Sequence, residues 1–277
     1  SAVAAGLGME SLPTVDAQAT LSFNFQGASQ TGLNPGDEVG APEFKTNNWN
    51  NISGSIAGTY GNDDAELVRF DNGTRASAVS VSYGGIESHR VTSTDRRINL
   101  QAYTLGLHGT SSNKDAKMMN SGLMTTAPND QCDNQLEVAV DGLAQYFESY
   151  DVAVYLDLPD ANSWQGQSVR LVSLYINGVR KQAFYVNDPA TKNYKGSFEN
   201  HAVQAILNDD GTIKGVKRME TVNGQMVETV RPIDDEFGQA MLYSNYVVFN
   251  VSAADAADRI VIKIEDGFTD DGRNGKD

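Results

Sequence analysis

Two Asn-Gly pairs, Asn177-Gly178 and Asn223-Gly224, each stand between runs of β-branched and aromatic residues. Asn and Gly both tolerate a positive φ, and a type I′ turn needs one at each of its two central positions, so the dipeptide closes a two-residue β-hairpin. The first pair separates Val169–Ile176 from Val179–Val186, and the second separates Val216–Val222 from Gln225–Val230. These four runs predict an antiparallel sheet through the middle of the chain.

The rest of the sequence reads in the same way. Thr20–Phe25 alternates apolar and polar residues and reads as a strand. Glu66–Phe70 and Ala76–Tyr83 read as a hairpin turning at Asp71-Asn72-Gly73. Leu136–Val140 and Tyr150–Leu156 are strands linked through Gly142-Leu143, and Lys114–Met119 reads as a short helical turn. Tyr246–Val251 and Arg259–Ile264 are further strands, joined through Ser252-Ala-Ala-Asp255, which has the spacing of a capping box. Roughly ten or more short strands without alternating helices favour a sandwich over a parallel α/β sheet. The expected fold is therefore all-β: an antiparallel β-sandwich, jelly-roll-like. Residues 1–18 are expected as an N-terminal arm and 19–277 as one sandwich domain, with 196–231 as an extended hairpin insertion.

Composition narrows the function. The chain has 277 residues with 36 acidic and 21 basic side chains, a formal charge of −15. Nucleic-acid binding needs clustered Lys and Arg to displace counterions from phosphates, and this balance opposes it. No apolar run approaches the ~18 residues of a membrane span. Cys132 is alone, so no intrachain disulfide forms. The three histidines, His89, His108 and His201, share no zinc-binding spacing. No nucleophile elbow, phosphate loop or dinucleotide fingerprint occurs. A polysaccharide-degrading enzyme needs only two acids brought together in space, and with 36 of them no pair is singled out.

Two ligand readings remain. Asp266, Asp270, Asp271, Asn274 and Asp277 crowd oxygen donors among glycines, chemistry that suits calcium, although the spacing is not that of an EF-hand. The plainer alternative for this segment is a polar turn. Trp164 and Trp49 lie in loop-like stretches and are the candidate stacking platforms for a glycan.

Several phrases resemble a loose group of exported bacterial β-sandwich surface proteins of the PEP-CTERM-associated kind. They are Ser22-Phe-Asn-Phe25, Trp49-Asn50-Asn51-Ile52, Val140-Asp-Gly-Leu143, Tyr150-Asp-Val-Ala-Val-Tyr-Leu156 and Arg259-Ile-Val-Ile-Lys-Ile264. The resemblance implies a jelly-roll-like protein that is secreted or held at the cell surface. The expectation is a non-enzymatic structural protein, a subunit of a surface layer or filament that self-associates into a polymer through its N-terminal arm. A carbohydrate-binding module is the alternative.

Overall fold

A computed structural model describes residues 19–25, 32–52, 58–60, 67–84, 98–102, 113–119, 121–125, 136–156, 169–187, 196–255 and 257–267. Its strands are β1 (Phe23–Phe25), β2 (Asn50–Ile52), β3 (Gly58–Tyr60), β4 (Ser80–Gly84), β5 (Ile98–Ala102), β6 (Ser121–Thr125), β7 (Leu136–Asp141) and β8 (Tyr150–Tyr155). They continue with β9 (Val169–Ile176), β10 (Val179–Asn187), β11 (Val203–Leu207), β12 (Ile213–Val222), β13 (Gln225–Arg231), β14 (Tyr246–Val251) and β15 (Ile260–Asp266). The described residues also hold two short α-helices, α1 (Lys114–Met119) and α2 (Asp235–Ala240), and single-turn 3-10 helices at Pro42–Phe44, Leu143–Gln145 and Ala253–Asp255. The fold is all-β and sandwich-like, as the turn chemistry predicts.

Both Asn-Gly pairs form the expected turns. Asn177 and Gly178 have φ of 52° and 76°, and Asn223 and Gly224 have φ of 50° and 78°. Ile176 therefore faces Val179, and Val222 faces Gln225. These hairpins belong to a nine-stranded sheet of order β13-β12-β11-β10-β9-β15-β7-β4-β3.

The central strands bury both faces, which explains why Val169–Ile176 bunches its apolar residues instead of alternating them. On one face Val81, Val140, Ile262, Leu174 and Val186 pack with Val247, Phe249 and Val251 of the two-stranded β14–β8 sheet. Phe184 and Phe249 meet edge to face across this layer, 5.4 Å between centroids. On the other face Val169, Leu171, Ala183, Tyr185 and Val216 pack with Ile233 and α2's Phe237.

The chain entry is built differently. β1 and β2 pair in parallel, setting Asn24 beside Asn51 and Phe25 beside Ile52. Asparagine side chains hold this short pair. Asn50 donates to the carbonyls of Ser22 (3.0 Å) and Arg69 (2.9 Å) and accepts from the Arg69 N–H (2.8 Å). Asn51 accepts from Asn24 and from the Leu33 N–H, and donates back to the Leu33 carbonyl.

Residues 67–83 depart from the expected simple hairpin. The turn at Asp71-Asn72-Gly73 forms, and the Ala76 N–H reaches the Val68 carbonyl. The chain then bends away at Ala78, whose N–H donates to the Tyr146 hydroxyl. Residues 80–84 pair with β3 and β7 instead, because only there do Val81 and Tyr83 join the core. Gly142 permits this approach: at φ 82° an added Cβ would lie 1.8 Å from the Ala78 carbonyl oxygen. Ser252 and Asp255 form part of a capping box, with the Ser252 N–H and hydroxyl both directed to the Asp255 carboxylate.

Candidate functional site

The open end of the nine-stranded sheet is the hairpin of β12 and β13. Its register runs from Val216–Arg231 to Val222–Gln225 without a bulge. The pair flanking a two-residue turn exchanges both backbone bonds, and antiparallel pairs alternate from there. Val227, Thr229 and Arg231 therefore bond inward to β12. The N–H and C=O groups of Met226, Glu228 and Val230 point outward, and among the described residues no strand pairs with that edge.

The two faces of the hairpin differ. One carries Val216, Arg218 and Glu220 and rests at its base on the segment leading into α2. Arg218 fixes the contact: its guanidinium lies 4.5 Å from the Phe237 ring centroid, bonds Asp234 Oδ2 at 3.1 Å and donates to the Pro232 carbonyl at 2.9 Å. Asp234 serves twice, because its Oδ1 also accepts from the Phe237 N–H at 2.8 Å and caps α2. The acid cluster Asp234-Asp235-Glu236 is thus a helix start. Farther out, Arg231 bonds Glu220 and holds its carboxyl below the ordinary value.

The opposite face carries Lys217, Met219, Thr221, Met226 and Glu228, all exposed. Met219 and Met226 are diagonal neighbours there, 59% and 62% exposed, and Val222 at the tip is 44% exposed. Met226 Sδ accepts from Thr221 Oγ1 at 3.2 Å, the rest of both side chains faces solvent, and methionine is a favoured residue of adaptable binding surfaces.

A second polar group lies on the outer face of β9, β10 and β15. Arg180 bonds Glu265 at 3.2 Å and Ser173 Oγ at 3.1 Å, with side-chain exposures of 10% and 7% for the ion pair. Tyr175 lies beside both Arg180 (5.4 Å) and Lys263 (4.3 Å). The Arg180 guanidinium donates to the Ser173 hydroxyl and cannot take its proton. The group is an ion pair stitched into the sheet.

Trp49, one of the residues singled out from the sequence, sits in an aromatic cluster under the 33–49 loop. Its indole N–H donates to the Thr46 carbonyl at 3.0 Å, and its ring packs on Tyr155 at 6.1 Å. Tyr155 stacks on Tyr246 and meets Phe198 edge-on, and its hydroxyl accepts from the Ala41 N–H at 2.9 Å. Burial pushes its hydroxyl up to about 12. The 33–49 loop is further tied through Asp37, which takes the Asn34 N–H (2.8 Å) and the Lys114 ammonium (3.4 Å).

Asp266 closes β15, while Trp164, Asp270, Asp271, Asn274, Asp277, Cys132, His89 and His108 lie outside the described residues. His201 donates its backbone N–H to Ser244 Oγ, and its side chain is exposed. Among the described residues no three His, Cys, Asp or Glu side chains gather as a metal site, and no helix is long and apolar enough to cross a membrane. The hairpin edge escapes sequence reading because which strand ends a sheet depends on strand order; the exposed Met219 and Met226 flanking Asn223-Gly224 are the one available signal. No family model matches this chain, and no curated protein or solved structure shows significant similarity to it.

Proposed function

We propose that the chain is a non-enzymatic structural protein of the cell exterior, a subunit that self-associates into a layer or filament by strand addition. The observation that carries this reading is the bulge-free outer edge of β13, seven residues long and flanked by exposed Met219 and Met226. Sheet edges that stay monomeric are usually shortened, bulged or covered. An extended segment laid along such an edge gains main-chain hydrogen bonds and places alternate side chains against the sheet. The arm at residues 1–18 is the donor in this reading. A contact between an arm and an edge is heterologous, and unless its rotation closes a ring it propagates.

The test is deletion of residues 1–18, with light scattering and electron microscopy of both proteins across a concentration series. The full chain is expected to grow with concentration and the truncated chain to remain monomeric. A full-length chain that stays monomeric at high concentration, or a truncated chain that assembles equally well, refutes the reading. Glycan binding would then be the next class to titrate, with Trp49→Ala as the control.

A further inference from the structure

We propose that residues 3–9 of one copy form the strand that docks on the outer edge of β13 in the next copy. The inference rests on the self-assembly reading above and names both halves of its contact. Val3-Ala-Ala-Gly-Leu-Gly-Met9 alternates side chains: Val3, Ala5, Leu7 and Met9 at odd positions, with Ala4, Gly6 and Gly8 between them. In an extended strand the two sets face opposite ways. The segment is seven residues long, and so is β13. At ~3.3 Å per residue each spans about 23 Å. The larger side chains match the face of Met219 and Met226, and the small ones pass the Arg218 face, where the α2 segment crowds the base.

Charge favours the same pairing. Copies carrying a net −15 repel one another, and a docking element succeeds best where it adds no charge. Residues 2–9 contain no Asp, Glu, Lys or Arg. The charges of β13 are already matched across the hairpin, Glu228 by Lys217 and Arg231 by Glu220. At the other end of the sheet β3 has three residues, too few for a comparable ladder.

Topology selects a second copy over the chain's own edge. Leu21 bridges Phe70, whose ring packs on Tyr146, and Phe25 meets Tyr83 of β4 at 5.5 Å. The arm therefore leaves the sandwich at the 68–76 turn, next to β1, whose Phe25 reaches β4, seven strand positions from β13. At ~4.8 Å per strand that distance is about 34 Å. Residues 10–19 reach at most about 33–36 Å when fully extended, so folding back would consume all their slack. A neighbour's edge imposes no such stretch.

The experiment uses two full-length variants. Glu228→Pro removes an outward N–H from the edge without breaking the inner ladder. Leu7→Asp spoils the arm. Each alone is expected to stay at the monomer mass of 29.9 kDa while the unmodified chain grows. Mixed one to one, the sound arm of the first docks on the sound edge of the second, giving a particle of two chains that grows no further. Met226→Asp, which keeps every backbone group, takes the first role if Glu228→Pro loses the sheet spectrum in circular dichroism. An unmodified chain that assembles while the mixture stays monomeric overturns this pairing alone; an edge variant that assembles alone overturns the pairing and the β13 edge as the contact, and leaves only self-association through another surface. An unmodified chain that never assembles overturns both.

Discussion

Asp234 joins the projecting hairpin to the helix beneath it: one carboxylate oxygen bonds Arg218 at 3.1 Å and the other caps α2 at Phe237. The two roles separate by substitution. Asp234→Asn keeps an oxygen for the cap and loses the charged bond to Arg218, at a carboxylate that is 46% exposed, so it should cost less than about 1 kcal/mol. Asp234→Ala loses both and should cost about 1–2 kcal/mol in urea titration. Equal losses would show that the cap contributes nothing.

Gly142 and Asn223 both take positive φ, yet they should respond differently. Asn223 lies at an exposed turn, so Asn223→Ala should cost only the ~1–2 kcal/mol of a left-handed residue. Gly142→Ala adds to that strain a Cβ driven into the Ala78 carbonyl. A loss of at least ~3 kcal/mol is expected for it, measured as the shift in urea midpoint. Comparable shifts for the two would contradict the close approach of Gly142 to Ala78.

The Arg180–Glu265 pair is buried between strands 85 residues apart in sequence. Removing one member leaves the other charge in a poor solvent, so Glu265→Ala should cost about 3–5 kcal/mol. The double replacement Arg180→Met with Glu265→Leu should recover most of it, because neither charge then remains to be desolvated. A double variant as unstable as Glu265→Ala would mean that the pair is not the dominant interaction there.

Asp37 responds to acid. The Asn34 N–H first, and then Lys114, hold its carboxyl below the ordinary 3.8. A depressed acid contributes stability that is complete above the unfolded value and fades as pH falls toward the folded one. The 33–49 loop should therefore loosen below about pH 4. Trp49 emission, read in a Trp164→Phe background, should change there while Asp37 is intact and lose this component when Asp37→Asn is added. Identical acid profiles would refute the assignment.

Local features of this fold were legible from sequence, and partner choice was not. Asn177-Gly178 and Asn223-Gly224 specify their turns within two residues, so the hairpins are where the sequence puts them. Nothing local says that Tyr150–Tyr155 pairs with Tyr246–Val251, or that Phe23–Phe25 runs parallel to Asn50–Ile52. Those pairings depend on which apolar faces meet in the core. The Arg180–Ser173–Glu265 group escapes notice for the same reason, because it assembles from three strands. Met219 and Met226 read as ordinary strand residues until strand order places their hairpin at the end of the sheet.

Hydrogen exchange of the β13 amides, followed from dilute to concentrated protein, tests the edge most directly. Val227 and Thr229 are bonded within the hairpin and should be protected throughout. The amides of Met226, Glu228 and Val230 should exchange freely in dilute solution and become protected as particles grow. Growth with those three amides still exchanging freely would place the assembly contact elsewhere and contradict the account.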